Sequence, residues 1–178
     1  MLNVRINDRA YRALGSAGLP SVTPSELAAG LRELLTWGID RRGDVLAFGG
    51  YSGWAGEPPG GYEDLTGWEC AVTSFHLEDR VPVHVDVVDA VPVISEQDQL
   101  VLLRQGTRFA MEVVRLAGAL ADPVPVRCIV SANSTNGTFR FHRARTGESL
   151  LAPDLDTYTE DKIVTVDSGP ASLGGTPW

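Results

Sequence analysis

The sequence has few of the residues and patterns that mark disulfide scaffolds, membrane proteins or secreted proteins. Cysteine occurs twice, at Cys70 and Cys128, and neither has a second cysteine at metal-binding spacing. No apolar run approaches the roughly 20 residues that a membrane helix needs, and the N-terminal residues lack the apolar stretch of a secretory signal. We therefore expect a cytoplasmic protein whose two thiols are reduced and buried.

Compact catalytic motifs are also missing. The chain has no G-x-S-x-G elbow, no H-E-x-x-H and no P-loop. The glycines at Gly49, Gly50, Gly53 and Gly56 do not stand between a strand and a helix as a dinucleotide fingerprint requires. The sequence therefore indicates no particular reaction, and we expect neither a cofactor nor a metal.

Positive charge is scarce relative to negative charge. The formal net charge is −8 and the sequence pI is about 4.8, which argues against nucleic-acid binding because phosphates are neutralised by basic surfaces. A basic protein is the partner that this charge favours. The length of 178 residues suits one domain, and the 43% hydrophobic content is that of a globular chain.

A long amphipathic helix is predicted from Ser95 to Asp122. Ser95 can cap the first turn, and the helix must end before Pro123, since the residue preceding proline disfavours the α region. A second helix is predicted to begin at the capping box Thr23-Pro24-Ser25-Glu26 and to end at Gly38. The long helix carries a broad apolar stripe made of Leu102, Leu103, Phe109, Ala110, Val113, Leu116, Ala117 and Leu120.

Alternating apolar and polar residues predict strands in the rest of the chain. Two of these strands form a hairpin around Asn136-Gly137 that opposes Ala132 to Phe141, and two others form a hairpin around Arg80 that opposes His76 to His84. Both cysteines lie in predicted strands. The predicted strands are Leu2–Ile6, Val45–Phe48, Trp68–Glu78, Val81–Val88, Pro125–Ala132, Thr138–Arg145 and Lys162–Val166.

These elements predict a single α+β domain over residues 1–167. Its largely antiparallel sheet has about six strands, and the two helices pack on one face of it. Residues 168–178, rich in glycine, proline and serine, are predicted to form a flexible tail.

The segment Gly49–Gly67 fits no helix or strand period and is predicted to be a long loop. It holds seven glycines and three aromatic residues, a composition typical of recognition surfaces. The alternative is that the aromatic side chains fold back and cover a sheet edge. The predicted partner-binding residues are Tyr51, Trp54, Glu57, Tyr62, Glu63 and Asp64.

Two functions are compatible with these features. The first is a non-catalytic, cytoplasmic protein-binding module that neutralises a toxin or regulates an enzyme; in its acidity and size the chain is similar in general character to bacterial toxin-immunity proteins. The alternative is a hydrolase or metal-dependent enzyme that uses His76, His84 and Asp86, joined by His142, because imidazole and carboxylate are ligands for divalent metals. The sequence does not predict the oligomeric state.

Overall fold

The computed structural model describes residues 2–15, 23–53 and 61–168. Within these ranges the chain forms four α-helices and nine β-strands. In chain order they are β1 (Leu2–Ile6), α1 (Asp8–Leu14), α2 (Ala29–Trp37), β2 (Ile39–Arg42), β3 (Val45–Phe48), α3 (Leu65–Thr73), β4 (Phe75–His76), β5 (Val85–Val88), β6 (Val91–Ile94), α4 (Glu96–Gly118), β7 (Val126–Ala132), β8 (Gly137–Arg143) and β9 (Lys162–Ser168). The predicted α+β class is confirmed.

The main sheet has five antiparallel strands in the order β1-β9-β7-β8-β4, and β2-β3 and β5-β6 form two separate hairpins. Strand β9 extends to Ser168, which had been predicted to begin the tail. The hydroxyl of Ser168 accepts a hydrogen bond from the amide of Val126 at 2.8 Å and so ties the strand end to β7. The rest of the predicted tail, residues 169–178, lies outside the described residues.

Helix α4 covers one face of this sheet, as the apolar stripe predicts. Ser95 caps it through the amide of Asp98, and it ends at Gly118, four residues before the predicted end at Asp122. Phe109 is fully buried, and its ring centroid lies 4.7 Å from that of Phe139 on β8. Helices α1 and α2 add residues to the same core. None of the helices in the described ranges has both the length and the hydropathy needed to cross a bilayer.

The start of α2 differs from the prediction. The capping box at Thr23 is present, with the Thr23 amide donating to the Glu26 carboxylate at 2.7 Å, but it opens only a 3₁₀ turn that ends at Glu26. The α-helix begins afresh at Ala29. Gln105 of α4 stabilises this break. Its side-chain oxygen accepts from the amide of Ala28, and its side-chain nitrogen donates to the carbonyl of Glu26. The predicted end of the helix at Gly38 is confirmed.

The β7–β8 hairpin is confirmed, but its register is not the predicted one. Ala132 faces Gly137 instead of Phe141, a shift of four residues. The side-chain oxygen of Asn133 accepts from the amides of Thr135 and Asn136, which makes a longer turn, and Gly137 lies in the strand. A Cβ at Gly137 would come within 2.9 Å of the end of the Leu102 side chain, so glycine fits this position without a shift of the buried leucine. An even shift keeps each side chain on its predicted face.

The hairpin predicted from Trp68–Glu78 and Val81–Val88 is wrong. The first segment is mostly helix α3, which also removes Cys70 from a strand, and the second contributes β5, which pairs with β6. His76 faces Thr138 across the sheet and not His84. Asp64 begins α3 by accepting the amide of Gly67 at 2.7 Å, a cap within the region predicted to be a loop.

Helix α3 covers the part of the β8 edge that has no neighbouring strand. Strand β4 pairs with only two residues of β8. Beyond them, the hydroxyl of Thr73 accepts from the amide of Phe141 at 3.0 Å and donates to its carbonyl at 2.7 Å. One turn earlier, the carboxylate of Glu69 accepts from the amide of Arg143 at 3.2 Å. Helical side chains thus satisfy backbone groups that would otherwise be buried without partners.

We predict that Thr73→Val destabilises the fold by about 1–3 kcal/mol, because the two backbone groups of Phe141 lose their partner while the side-chain shape is kept. Denaturant unfolding measures the change. Thr36→Val is the matched control, since Thr36 is exposed and its hydroxyl bonds only the carbonyl of Glu33. Equal stability of the two variants would contradict the edge-closing role.

Candidate functional site

Only some of the residues predicted to bind a partner are exposed to solvent in the structure. Tyr62 and Glu63 are exposed, whereas Tyr51 and Asp64 are half-buried. The ring of Tyr51 packs edge-on against Trp68 of α3, with centroids 6.1 Å apart, and the carboxylate of Asp64 is occupied as the cap of α3. Trp54 and Glu57 lie outside the described residues.

A surface cleft of about 510 Å³ lies beside Tyr51, between the end of α2, the end of β3 and α3. Trp37 is half exposed at its rim. Gly49 allows the cleft to form, because its amide donates to the carbonyl of Gly38 at 2.9 Å and a Cβ would lie only 1.9 Å from the carbonyl oxygen of Trp37. The lining residues are Trp37, Phe48, Gly49, Gly50, Tyr51, Ser52 and Val72. This aromatic cleft can accept an apolar side chain.

The hairpin β5–β6, which we call the valine arm, exposes several large apolar side chains. Its root is anchored, since Ile94 is buried and Val85 packs on the core. Beyond the root both faces are open to solvent. The exposed fractions are 71% for Val87, 55% for Val88, 49% for Val91 and 37% for Val93. The register places Val88, Val91 and Val93 on one face of the hairpin and Val87 on the other, and exposed apolar residues grouped on one face mark interaction sites.

The turn of the valine arm holds strained backbone. Asp89 and Ala90 both have positive φ, at 49° and 64°, as a two-residue type I′ turn requires. Alanine is poorly suited to that conformation. The sequence signal for this arm was the symmetric run Val85–Val93 around Asp89-Ala90, but the turn lacks the glycine or asparagine by which such turns are recognised.

The three histidines do not form a common site. His76 lies 3.3 Å from the carboxylate of Glu78, which also accepts the amide of Gly137. His84 lies 3.0 Å from Asp86 on the exposed arm, and His142 is buried in the sheet. Within the described residues, no group of three or more His, Cys, Asp or Glu side chains is arranged to hold a metal ion.

His142 is the most unusual of the three. It is 1% exposed, and its Nδ1 lies 2.7 Å from the carbonyl oxygen of Arg143. Since a carbonyl only accepts, Nδ1 carries the proton and Nε2 has a lone pair in the neutral ring. That Nε2 atom has no hydrogen-bond partner in the part of the chain that the structure describes. Burial lowers the pKa of His142, and the nearby Arg127 and Arg145 lower it further.

Glu69 is a buried carboxylate with a structural role. One oxygen accepts the amide of Leu46 at 2.6 Å, and the other accepts Arg145 Nη1 at 2.5 Å. Burial raises the pKa of Glu69, and the hydrogen bond to Arg145 partly opposes that rise. The hydrogen bonds of Glu69 therefore link α3 to β3 and to β8.

The cysteines are both unpaired and buried, as predicted. Burial raises the pKa of Cys70 to about 12 and that of Cys128 well above its ordinary value. A thiol with so high a pKa is protonated at neutral pH and is a poor nucleophile. Neither cysteine is suited to nucleophilic catalysis.

The fold and these surfaces define a small acidic α+β protein whose distinctive features are an exposed apolar arm and an aromatic cleft. Residues 19–174 match the model of the Uncharacterized protein PM0498 family, and the chain belongs to that family. No curated protein and no solved structure matches the chain.

We predict that the contribution of His142 lowers stability as the pH drops below about 6.5, the ordinary pKa of histidine, while the raised pKa of Glu69 acts in the opposite direction. The folded pKa of His142 is lower than the unfolded value, so over this range the unfolded chain binds more protons and is favoured by acid. Unfolding midpoints in denaturant, measured between pH 7.5 and pH 5, test this. His142→Gln should flatten the slope, whereas His84→Gln, which changes an exposed side chain, should leave it as in the wild type. An unaltered slope in His142→Gln would assign the acid sensitivity to another group.

Proposed function

We propose that this protein is a non-catalytic protein-binding module of the cytoplasm and that the valine arm is its main contact surface. The observation that carries this proposal is the exposure of Val87, Val88, Val91 and Val93 on a hairpin that, among the residues the structure describes, packs on the core only at its root. Burying one valine fully stabilises a complex by about 1.5 kcal/mol or more. An isolated two-stranded hairpin is marginally stable in water, so a bound partner would also order it.

The charge of the protein favours a basic partner. The net charge is −8, and Asp86 and Asp89 lie on the arm itself. Such charges would speed association with a basic protein and make the rate sensitive to salt. Neutralising an intracellular toxin or regulating a basic enzyme fits an acidic binder of this kind. The two free, buried cysteines are compatible with a reducing compartment.

The loop predicted from sequence contributes a second contact in this proposal. Tyr62 and Glu63 are exposed at its end, and the aromatic cleft beside Tyr51 can accept one apolar side chain of the partner. The enzyme alternative has no comparable support, because it requires His76 to face His84. His76 lies on β4 and faces Thr138, whereas His84 directly precedes β5.

We expect the double variant Val88→Ser, Val91→Ser to lose its partner while remaining folded, since both side chains are exposed and contribute little to the core. The measurement is affinity capture from cells of origin with quantitative mass spectrometry, followed by titration of the captured protein with purified components. Removal of two contact valines should weaken the purified complex by roughly 2–3 kcal/mol, or 30- to 150-fold.

Leu150→Ser is the control, because Leu150 is exposed to the same degree as Val93 but belongs to the segment between β8 and β9 and not to the arm. Tyr62→Ala tests the loop separately. A partner that binds the arm variant and the wild type equally would refute the arm as the main contact, and loss of binding in Tyr62→Ala alone would assign that role to the loop.

A further inference from the structure

We propose that the outer edge of β5 binds a β-strand of the partner, an extended, basic segment rich in β-branched residues, through backbone hydrogen bonds. The inference rests on the proposed function and specifies how the valine arm recognises its partner. Three observations support it: the register of the hairpin, the fact that the edge of β6 is blocked whereas the edge of β5 is unpaired, and the negative charge of the arm.

The register determines which backbone groups of β5 point outward. Val88 faces Val91 across a two-residue turn, and the residues that flank such a turn form a hydrogen-bonded pair. Because hydrogen-bonded and non-bonded pairs alternate along antiparallel strands, Asp86 also bonds β6. The amide and carbonyl groups of Val85 and Val87 therefore point away from β6.

The outer edge of β6 is closed to another strand. Pro92, which faces Val87 across the hairpin, has no amide hydrogen to donate. The amide of Ile94, the next amide on this edge, donates to the carbonyl of Ser134 at 2.7 Å. Both observations agree with the alternation deduced for β5. They also show that the hairpin can extend its sheet on one side only.

The outer edge of β5 is open. Across residues 2–15, 23–53 and 61–168, no other strand pairs with β5, and no backbone hydrogen bond links Val85 or Val87 to another element. Unpaired backbone groups along a β-branched strand are a template for strand addition, and proteins commonly block such edges. Here proline blocks β6, while β5 carries exposed valine.

Charge selects a basic partner strand over a second copy of the chain. Asp86 alternates with Val85 and Val87 and projects from the face opposite to theirs. If two copies paired through β5 with Val85 facing Val87, Asp86 would face Asp86, and in any register two chains of net charge −8 would repel each other. A lysine or arginine in a partner strand would instead lie beside Asp86, with β-branched residues on either side of it. The expected ligand is therefore an extended peptide in which basic and β-branched residues alternate.

A displayed library of random heptapeptides is a suitable probe, because display on a surface detects weak binding. We expect panning against the wild type to enrich peptides that alternate β-branched with basic residues. Val87→Pro should reduce their binding by at least tenfold, because it removes the outward amide and places a ring at the edge. Val87→Ala is the matched control. It shortens the same side chain but keeps the amide, so peptides should bind Val87→Ala at least about threefold more tightly than Val87→Pro, the effect of one backbone hydrogen bond.

A second measurement needs no variant and covers the case in which Val87→Pro disrupts the arm. Amide hydrogen exchange by NMR should show protection of Val85 and Val87 when an enriched peptide is added to the wild type. Enriched peptides that leave both amides unprotected and tolerate Val87→Pro would overturn strand addition. If they still depended on Val88 and Val91, the proposed function would stand.

Absence of any peptide dependent on the arm would overturn the strand-addition proposal. The Val88→Ser, Val91→Ser capture experiment would then decide separately whether the arm binds a protein at all. Wild-type protein that is a dimer in solution, and a monomer as Val87→Pro, would show that a second copy occupies the edge. That result would overturn the basic partner strand.

Discussion

The hydrogen bonds that α3 makes to the edge of β8 are the constraint on which the rest of the structure depends. Thr73 and Glu69 take the place of a neighbouring strand at Phe141 and Arg143. The second oxygen of Glu69 also fixes β3 through the amide of Leu46. A buried carboxylate is costly unless it is fully hydrogen-bonded and paired with a cation, and Arg145 supplies that cation. The sheet, α3 and the β2–β3 hairpin are thereby held in one arrangement.

Both candidate contact surfaces follow from this arrangement. Since α3 occupies the edge of β8, Trp68 is placed where Tyr51 can pack on it, and Val72 lines the aromatic cleft. The chain after α3 reaches the sheet only briefly as β4 and then leaves it. The valine-rich strands β5 and β6 that follow do not join the main sheet and pair with each other as the valine arm. One structural solution to an unpaired sheet edge thus produces another exposed edge at a different position.

An exposed apolar edge is a liability that a protein can tolerate when the surroundings are strongly charged. Self-repulsion from a net charge of −8 discourages association between copies of the chain, and Asp86 and Asp89 bring that charge onto the arm. In the proposed function, the same charges would attract a basic partner. Solubility and partner choice would then have one electrostatic origin, whereas the affinity would come from valine side chains and backbone groups.

The sequence by itself determined the elements in which one periodicity dominates. The stripe of α4 and the cap at Ser95 predicted that helix, and Gly38 predicted the end of α2, because these signals are local to a few turns of chain. The faces of β7 and β8 were predicted correctly even though the register was not, since a shift of four residues preserves the alternation.

Only the tertiary structure decided what the segment from Leu65 to Val93 would form. Helix α3 is short and apolar on most sides, so its period resembles that of a buried strand, and Thr73 and Glu69 find their partners only once β8 is beside them. The edges of the valine arm were equally hidden from the sequence. The missing amide hydrogen of Pro92 is evident from the sequence. The hydrogen bond that occupies the amide of Ile94 is not, because its acceptor, the carbonyl of Ser134, is brought close only by the fold. Backbone groups are the same in every residue except proline, so their pairing is fixed by position in space and not by side-chain pattern.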